Sequence, residues 1–320
     1  MHDSNPRRYV VGAYAASPAH RQWNPELEAA FLGALGGMPR VGALELPWLG
    51  RLHPHDDVWL LQNLPSSLGA VMTDIGHTVG RTSEAPAFGL ASRDDDARAE
   101  AIATLERLRG DVHRLNDHSA RRVVEVVELH SAPRARFGSA AALAASLEEA
   151  SRWDWDGAAL VVEHCDAEVP GHEPEKGYLP LEDEIGAVRA AGAPVGIAIN
   201  WGRSAIELRD GDRVTEHIRL AASEGLLRGL MFSGASGEEG AFGRPWLDAH
   251  HPFARSGPHP FGDPVSLLTE QRVADALRAA GAVDWLGVKV GWAGDDGTVS
   301  DRVTMIAQAL DALDRQAAAA

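Results

Sequence analysis

The stretch ALVVEHCDAEVPGHEPEKGYLPL, which runs from Ala159 to Leu181, decides the fold. It opens with a short apolar run that ends in Glu163 and His164, and it then continues as a long irregular segment. A short, continuous apolar run is typical of a strand that is buried on both faces, as in a parallel sheet covered by helices. The same pattern recurs along the chain, and polar side chains follow most of the apolar runs.

Eight runs of this kind predict eight strands, most of them followed by a segment with helical periodicity. The strands are predicted at Tyr9–Ala15, Gly42–Leu46, Gly69–Ile75, Val123–His130, Ala158–His164, Val195–Asn200, Gly229–Ser233 and Trp285–Val290. The helices are predicted at Pro25–Leu35, His55–Leu64, Asp94–Asn116, Ser139–Arg152, Leu181–Ala191, Arg213–Ser223, Ser266–Ala280 and Ser300–Asp314. Eight strands that alternate with eight helices are the content of a (β/α)8 TIM barrel, an α/β fold.

A doubly wound open sheet is the main alternative fold. No Gly-x-Gly-x-x-Gly pattern follows the first predicted strand, so the sequence does not favour that fold and no nucleotide cofactor is expected. No change in composition indicates a linker. We therefore predict a single TIM-barrel domain over residues 1–320, with long loops after strands 5 and 7.

Composition limits the classes of partner. The formal net charge is −16, which argues against nucleic acid and anionic membranes as partners. Cys165 is the only cysteine, no apolar run approaches the roughly 20 residues of a membrane helix, and Met1–Arg8 has no apolar run of a secretory leader. These features predict a cytoplasmic protein. They leave the oligomeric state open.

The polar groups of a TIM-barrel active site come from the C-terminal ends of the strands and the loops that follow. Side-chain alternation places Glu128 and Glu163 at neighbouring strand ends on the inner face. Two such carboxylates raise one pKa or bind a cation between them. They are predicted as a catalytic acid/base pair, unless each is neutralised by an arginine such as Arg134 or Arg203.

Further side chains near the strand ends complete the predicted site. Of the 30 lysines and arginines only two are lysines, so Lys289 at the end of the last strand is predicted to be catalytic. His130, Glu163 and Asp166 are candidate ligands of a divalent metal (Mn, Mg or Zn). The segment INWGRSAIELR, Ile199–Arg209, is predicted as a binding loop. The predicted substrate-binding residues are Glu45, Asn200, Trp201, Arg203, Ser233, Trp292 and His251.

Four strings, VVELHSAP, LVVEHCDA, INWGRSAIE and GLMFSGAS, resemble a bacterial family of barrel proteins known as a domain of unknown function. The resemblance covers nearly the whole chain and implies a TIM barrel, loosely similar to the xylose-isomerase-like barrels. That wider group places acidic and histidine metal ligands on its later strands. Here Glu163 matches the first of them, whereas the later strands carry Asn200, Ser233 and Lys289, which departs from the usual metal site.

The sequence thus favours a carbohydrate-active enzyme with a small-molecule sugar or sugar derivative as substrate. Isomerase or epimerase chemistry by proton transfer is the first hypothesis, with Lys289 or a bound divalent metal stabilising an enediolate. A glycosidase that uses Glu128 and Glu163 is the second hypothesis. The third is a non-catalytic sugar-binding barrel, since a fold alone does not choose among these.

Overall fold

The computed structural model describes residues 8–19 and 22–319. Its strands are β1 Tyr9–Val11, β2 Val41–Pro47, β3 Gly69–Thr73, β4 Val124–Leu129, β5 Ala159–His164, β6 Val195–Asn200, β7 Leu227–Phe232 and β8 Trp285–Val288. They pair in parallel in sequence order, and β1 pairs with β8 to close the barrel. The predicted (β/α)8 TIM barrel is confirmed, and so are the long connections after β5 and β7.

Ten α-helices surround the described barrel. They are α1 Pro25–Gly36, α2 Asp57–Asn63, α3 Ile75–Glu84, α4 Asp95–Ser119, α5 Ala140–Ser151, α6 Leu181–Ala191, α7 Trp201–Leu208, α8 Val214–Ser223, α9 Glu270–Ala280 and α10 Val299–Ala319. All eight predicted helices are present, while α3 and α7 were not predicted. The prediction of a binding loop after β6 is wrong, because α7 begins directly at the end of the strand.

Side-chain caps explain where several helices begin. Asn24 Oδ1 accepts a hydrogen bond from the Leu27 amide at 3.0 Å, one residue before Pro25 starts α1. Ser139 Oγ accepts from the Ala142 amide at the start of α5. Both side chains satisfy backbone amides that the first helical turn leaves unpaired.

Two apolar layers fill the barrel and its surroundings. An outer layer packs the strands against the helices, whereas a small inner cluster plugs the barrel itself: Val10, Ala43, Val71, Val126, Val161, Ala198 and Met231. Inward side chains recur every second residue along a strand. The next inward positions towards the C-terminal end are therefore Gly12, Glu45, Thr73, Glu128, Glu163, Asn200, Ser233 and Lys289. The apolar plug thus supports a polar layer.

The remaining predictions about location are not settled by the fold. Among the described residues, no helix is long and apolar enough to cross a membrane. The prediction that the chain begins without a secretory leader falls mostly on residues 1–7, outside the described part. The cytoplasmic location stays a prediction.

A buried ionic network joins β5 to the helix layer. His164 Nδ1 lies 2.7 Å from Glu184 Oε2 and Nε2 lies 3.0 Å from Glu207 Oε2, and all three side chains are buried. Burial disfavours the charged imidazole, but these two carboxylates raise the pKa of His164 well above its usual value. Burial raises the pKa of Glu184, whereas the imidazolium outweighs burial at Glu207 and lowers its pKa to about 2. His164 is therefore held as a cation between two buried carboxyl groups.

We predict that His164→Gln destabilises the fold by about 3–5 kcal/mol, because it leaves two buried carboxylates without their cation. His118→Gln, at an exposed position of α4, is the matched control and should cost less than about 0.5 kcal/mol. The measurement is the free energy of unfolding in urea. A His164 variant as stable as the control would contradict the ionic role.

The same network predicts a pH dependence. Since the folded-state pKa of His164 is raised, its stabilising contribution should be complete below the unfolded value of about 6.5. The contribution should decline as the pH rises above the unfolded value and should be lost once the pH has passed the folded value. The difference in unfolding free energy between wild type and His164→Gln should therefore be larger at pH 6 than at pH 10. A difference that grows with pH would contradict this assignment.

Candidate active site

A cavity of about 550 Å³ opens at the C-terminal end of the barrel. Its floor carries polar side chains: Tyr14, Glu45, Lys176, Arg203, Asp248 and His250. One wall is mainly apolar. It includes Leu46, Leu49, Leu52, Leu60, Val79 and Trp23, and the polar side chains Ser17, Glu28, His53, His55 and Glu175 also line the cavity. The cavity therefore suits a ligand with a polar end and an apolar end, and its size is typical of small-molecule sites.

Glu45 is the glutamate of the inner polar layer that reaches this cavity. Its Oε1 lies 2.6 Å from Lys289 Nζ, and both side chains are fully buried. The other oxygen, Oε2, has no hydrogen-bond partner among the described residues. Gly12 makes room for this pair, because a Cβ atom there would lie 2.6 Å from Lys289 Cγ and 2.8 Å from Glu45 Oε2. The arrangement presents a carboxylate held from behind by an ammonium group.

Glu163 lies beneath the floor and is surrounded by donors. Its Oε2 accepts from Arg203 Nη1 and lies 3.0 Å from His130 Nε2, while Oε1 accepts from Asn200 Nδ2 at 3.2 Å. Burial alone would raise the pKa of Glu163, but Arg203 and Lys289 hold it well below its usual range. Glu163 is thus a fixed anion that orients its neighbours.

Glu128 differs from Glu163 in its surroundings. It is fully buried, and neither of its carboxyl oxygens has a hydrogen-bond partner among the described residues. Burial, followed by repulsion from Glu163 and Glu45, raises the pKa of Glu128 well above its usual value. These surroundings therefore favour the protonated form of this carboxyl group. Neither Glu128 nor Glu163 lines the cavity.

Two cations on the floor are fixed by a shared aspartate. Asp248 Oδ2 lies 2.6 Å from Lys176 Nζ and accepts from Arg203 Nε at 3.1 Å. Burial opposes ionisation of Asp248, yet these two cations hold its pKa well below the usual range. Asp248 comes from the long loop after β7 and Lys176 from the loop after β5. The two long loops therefore meet over the barrel mouth.

Arg203 reaches the floor because α7 starts so close to the strands. Asn200 at the end of β6 caps this helix, with Oδ1 accepting from the amides of Gly202 and Arg203. Gly202 is needed for the close approach, since a Cβ atom there would lie 2.5 Å from the Ser233 carbonyl oxygen. The Arg203 side chain is thereby held in the first turn of α7, facing Glu163 and Asp248.

Tyr14 and His250 complete the floor as groups that are neutral near pH 7. Burial raises the pKa of the Tyr14 phenol. Burial also lowers the pKa of His250 to about 3, and its Nδ1 lies 3.0 Å from Ser233 Oγ. The predicted substrate-binding residue Ser233 therefore contacts the cavity through His250.

Three groups of described residues have ligand atoms close enough together to hold a metal ion: His130–Glu163–Cys165, His164–Glu207–His217 and Glu45–Glu128–Glu163. In the first group both nitrogens of His130 are engaged, by Asp74 at 2.7 Å and by Glu163, and burial raises the pKa of the Cys165 thiol. In the second group the His164 nitrogens are similarly engaged. In the third group the ammonium of Lys289 already lies against Glu45. None of the three donor sets, as arranged, fits a divalent ion.

Several predicted site residues lie elsewhere. Trp201 packs in the outer apolar layer because it starts a helix. Trp292 packs against Phe261 and Arg302 and lines a separate surface cavity. The imidazole of His251 turns away to Asp263, at 2.6 Å, and its neighbour His250 lines the site instead.

The proposed metal ligand Asp166 also has another role. It belongs to none of the three groups, and its Oδ2 accepts from the backbone amide of Lys176 at 2.9 Å. The predicted set His130, Glu163 and Asp166 is therefore not assembled. Of that set, the structure joins His130 and Glu163 to each other.

Comparisons with known proteins agree with this fold. Residues 10–305 match the family described as a domain of unknown function (DUF4862). The chain is 38% identical over 288 residues to the uncharacterized protein STM3670 of Salmonella typhimurium strain LT2, covering 88% of this chain and 89% of that protein.

Solved structures share the barrel at low sequence identity. A xylose isomerase domain-containing protein of Salmonella typhimurium LT2 has a TM-score of 0.59 at 10% identity, covering 98% of this chain and 99% of that one. The IolI protein with a binding zinc atom has a TM-score of 0.59 at 11% identity, covering 97% and 98%. An L-ribulose 3-epimerase has a TM-score of 0.56 at 16% identity, covering 97% and 95%. From its sequence match, the chain belongs to the DUF4862 family, and its barrel has the fold of the xylose-isomerase-like proteins.

Proposed function

We propose that this protein is an enzyme that interconverts a sugar or sugar derivative by moving a proton at a carbon next to a carbonyl group. The observation that carries the proposal is Glu45, a buried carboxylate with a free oxygen at the floor of a small-molecule cavity. The sugar isomerases and epimerases that share the fold support the class of reaction. We assign the acid/base role that was predicted for Glu128 and Glu163 to Glu45, because neither Glu128 nor Glu163 lines the cavity.

In this proposal Glu45 Oε2 takes the proton from the substrate carbon. Negative charge then develops on the carbonyl oxygen, and the cationic side chains of Arg203 and Lys176 at the same floor stabilise it. In an isomerisation, protonated Glu45 returns the proton to the former carbonyl carbon, while the proton of the neighbouring substrate hydroxyl passes to the former carbonyl oxygen, so that the carbonyl group moves by one carbon. In an epimerisation a second group must deliver the proton to the opposite face. Buried Lys289 and Glu163 position Glu45 and Arg203.

The zinc of the IolI protein makes a metal-assisted version of this chemistry a natural comparison. The described donor sets do not fit such an ion, because the histidine nitrogens already contact carboxylates and the ammonium of Lys289 lies against Glu45. The proposed mechanism therefore uses the protein's own side chains. The glycosidase alternative is not favoured, because a glycosidic bond must lie between its two carboxyl groups and neither Glu128 nor Glu163 faces the cavity.

The apolar wall favours a sugar derivative over an unsubstituted sugar. Each sugar hydroxyl needs a hydrogen-bond partner when buried, and leucine and valine side chains offer none. The floor can bind a polar sugar ring, while the wall can cover an aryl or alkyl group attached to it. Leu49 and Val79 remain 43% and 38% exposed on this wall, which leaves apolar surface for such a group to bury.

The proposal predicts that Glu45→Gln lowers turnover at least about 100-fold, because an amide cannot accept the proton. The assay follows deuterium incorporation from D₂O into aldoses, ketoses and their aryl or alkyl derivatives by NMR. Glu182→Gln, at an exposed position of α6, is the control and should keep the wild-type rate. If the wild type binds a sugar but neither exchanges nor interconverts it, the non-catalytic binding barrel is the correct hypothesis.

The wall predicts a difference between substituted and unsubstituted sugars. Leu49→Asp should weaken binding of a phenyl glycoside about tenfold, through loss of apolar burial, and should leave the methyl glycoside nearly unchanged. Val58→Asp is the matched control, since Val58 is 56% exposed and does not line the cavity. Calorimetric titration measures both affinities. Equal losses for the two glycosides would contradict the role of the wall.

A further inference from the structure

Three carboxylates from three strands meet at the bottom of the candidate site. Glu45 of β2, Glu128 of β4 and Glu163 of β5 have oxygens that all lie within 4.8 Å of one another. Oxygen-only clusters of this kind are what hard divalent cations such as Mg²⁺ and Mn²⁺ prefer. Three carboxylates so close together require positive charge, a proton or both.

The positive charge is supplied by a side chain of the protein. Lys289 Nζ lies 2.6 Å from Glu45 Oε1 and 3.9 Å from Glu163 Oε1, and it has no exposed surface. The backbone holds the residue in place, since the Lys289 amide donates to the Phe232 carbonyl oxygen at 2.9 Å. The ammonium group is thus fixed against the cluster by both its side chain and its main chain.

The local sequence is adapted to an ammonium group. Gly12 leaves the space that the Lys289 stem and Glu45 occupy, because any Cβ atom there would overlap both. The chain has 28 arginines and only two lysines, which shows a strong general preference for arginine. A compact point charge fits among three carboxylates where a planar guanidinium would need more room. Lysine at this position is therefore a specific choice.

The remaining charges of the cluster are balanced as well. Arg203, in the first turn of α7, forms an ion pair with Glu163, so two cations face the three carboxyl groups. The third carboxyl group, Glu128, is fully buried, has no hydrogen-bond partner among the described residues and lies beside two other carboxyl groups, which disfavours its charged form. With Lys289 and Arg203 already facing these carboxyl groups, a divalent ion placed beside the ammonium would be repelled by both cations.

We infer that the ammonium group of Lys289 is the resident cation of the Glu45–Glu128–Glu163 cluster and occupies the role that a divalent metal would otherwise fill. The protein therefore works without a metal at this position. This inference rests on the proposed function, because Glu45, the proposed base, belongs to the same cluster. The metal-binding test itself does not depend on turnover.

The experiment compares Mn²⁺ binding by wild type, Lys289→Gln and Lys176→Gln, using electron paramagnetic resonance and calorimetry. Wild type should contain no stoichiometric metal after purification and should show no site on titration. Lys289→Gln should bind one Mn²⁺ per chain at least about tenfold more tightly than wild type. Its melting temperature should rise with added Mn²⁺, whereas that of wild type should not. Lys176→Gln should gain no site, because Arg203 still holds Asp248.

A second substitution locates the ion. Adding Glu128→Gln to Lys289→Gln should abolish the gained Mn²⁺ binding, since it removes one of the three carboxylates. A wild-type protein that holds one metal per chain, lost in Glu45→Gln, would overturn the inference, and this measurement remains decisive if Lys289→Gln does not fold. A folded Lys289→Gln without Mn²⁺ binding would overturn it too. Failure of the proposed function would appear separately, as absence of deuterium exchange.

Discussion

The ion pair between Lys289 and Glu45 is the interaction on which the rest of the site depends. Both side chains point into a closed barrel above an apolar plug and are fully buried, at the floor of the cavity. In such a place an unpaired charge is too costly to keep, and pairs must be close and nearly complete. Gly12 opens the space for the pair, and the remaining charges of the floor are arranged around it.

The same constraint explains how the loops are built. Glu163 requires a cation, and α7 supplies Arg203 by starting at the end of β6. Arg203 in turn binds Asp248 of the loop after β7, which also holds Lys176 of the loop after β5. Each long loop is thereby tied to the strand ends by a buried or nearly buried ion pair. The loops that cover the cavity are thus fixed by the electrostatics of its floor.

Most of the fold could be predicted from the sequence. Each strand is a short apolar run, and in each predicted helix the apolar residues recur at helical spacing. The helices α3 and α7 escaped prediction for a shared physical reason. Both follow their strands almost without a connection, as Thr73 ends β3 two residues before Ile75 starts α3. No turn residues separate the two elements, so the sequence pattern does not show where the strand ends and the helix begins. For the same reason Trp201, which was predicted to lie at the mouth of the barrel, packs in the outer apolar layer.

The site residues on strands could be predicted from the sequence, whereas those on the long loops could not. Position at a strand end singled out Glu45 and Lys289, and alternation along the strands put Glu128 beside Glu163. The structure brings all four side chains together, because their positions follow from the barrel itself. Asp248, His250 and Lys176 lie on long loops whose path depends on contacts that no local pattern reveals. His251 was predicted to bind substrate, but the neighbouring residue His250 lines the cavity, and the sequence pattern of a loop does not distinguish two adjacent histidines.

The sequence also did not show which of the three carboxyl groups reaches the cavity. Alternation predicts the face of the strand on which a side chain lies, but it does not predict whether loop residues cover that side chain. Arg203, Asp248 and Lys176 form that floor, and they leave Glu45 facing the cavity while Glu128 and Glu163 lie beneath. A barrel shared with other proteins therefore fixes where a site lies, whereas its chemistry depends on which charges the loops add to the strand ends. In this chain an ammonium group at the end of β8 and a guanidinium at the start of α7 offset the charge of the carboxylate cluster. One oxygen of Glu45 is left beside these cations without a hydrogen-bond partner among the described residues, and such a carboxylate oxygen can accept a proton.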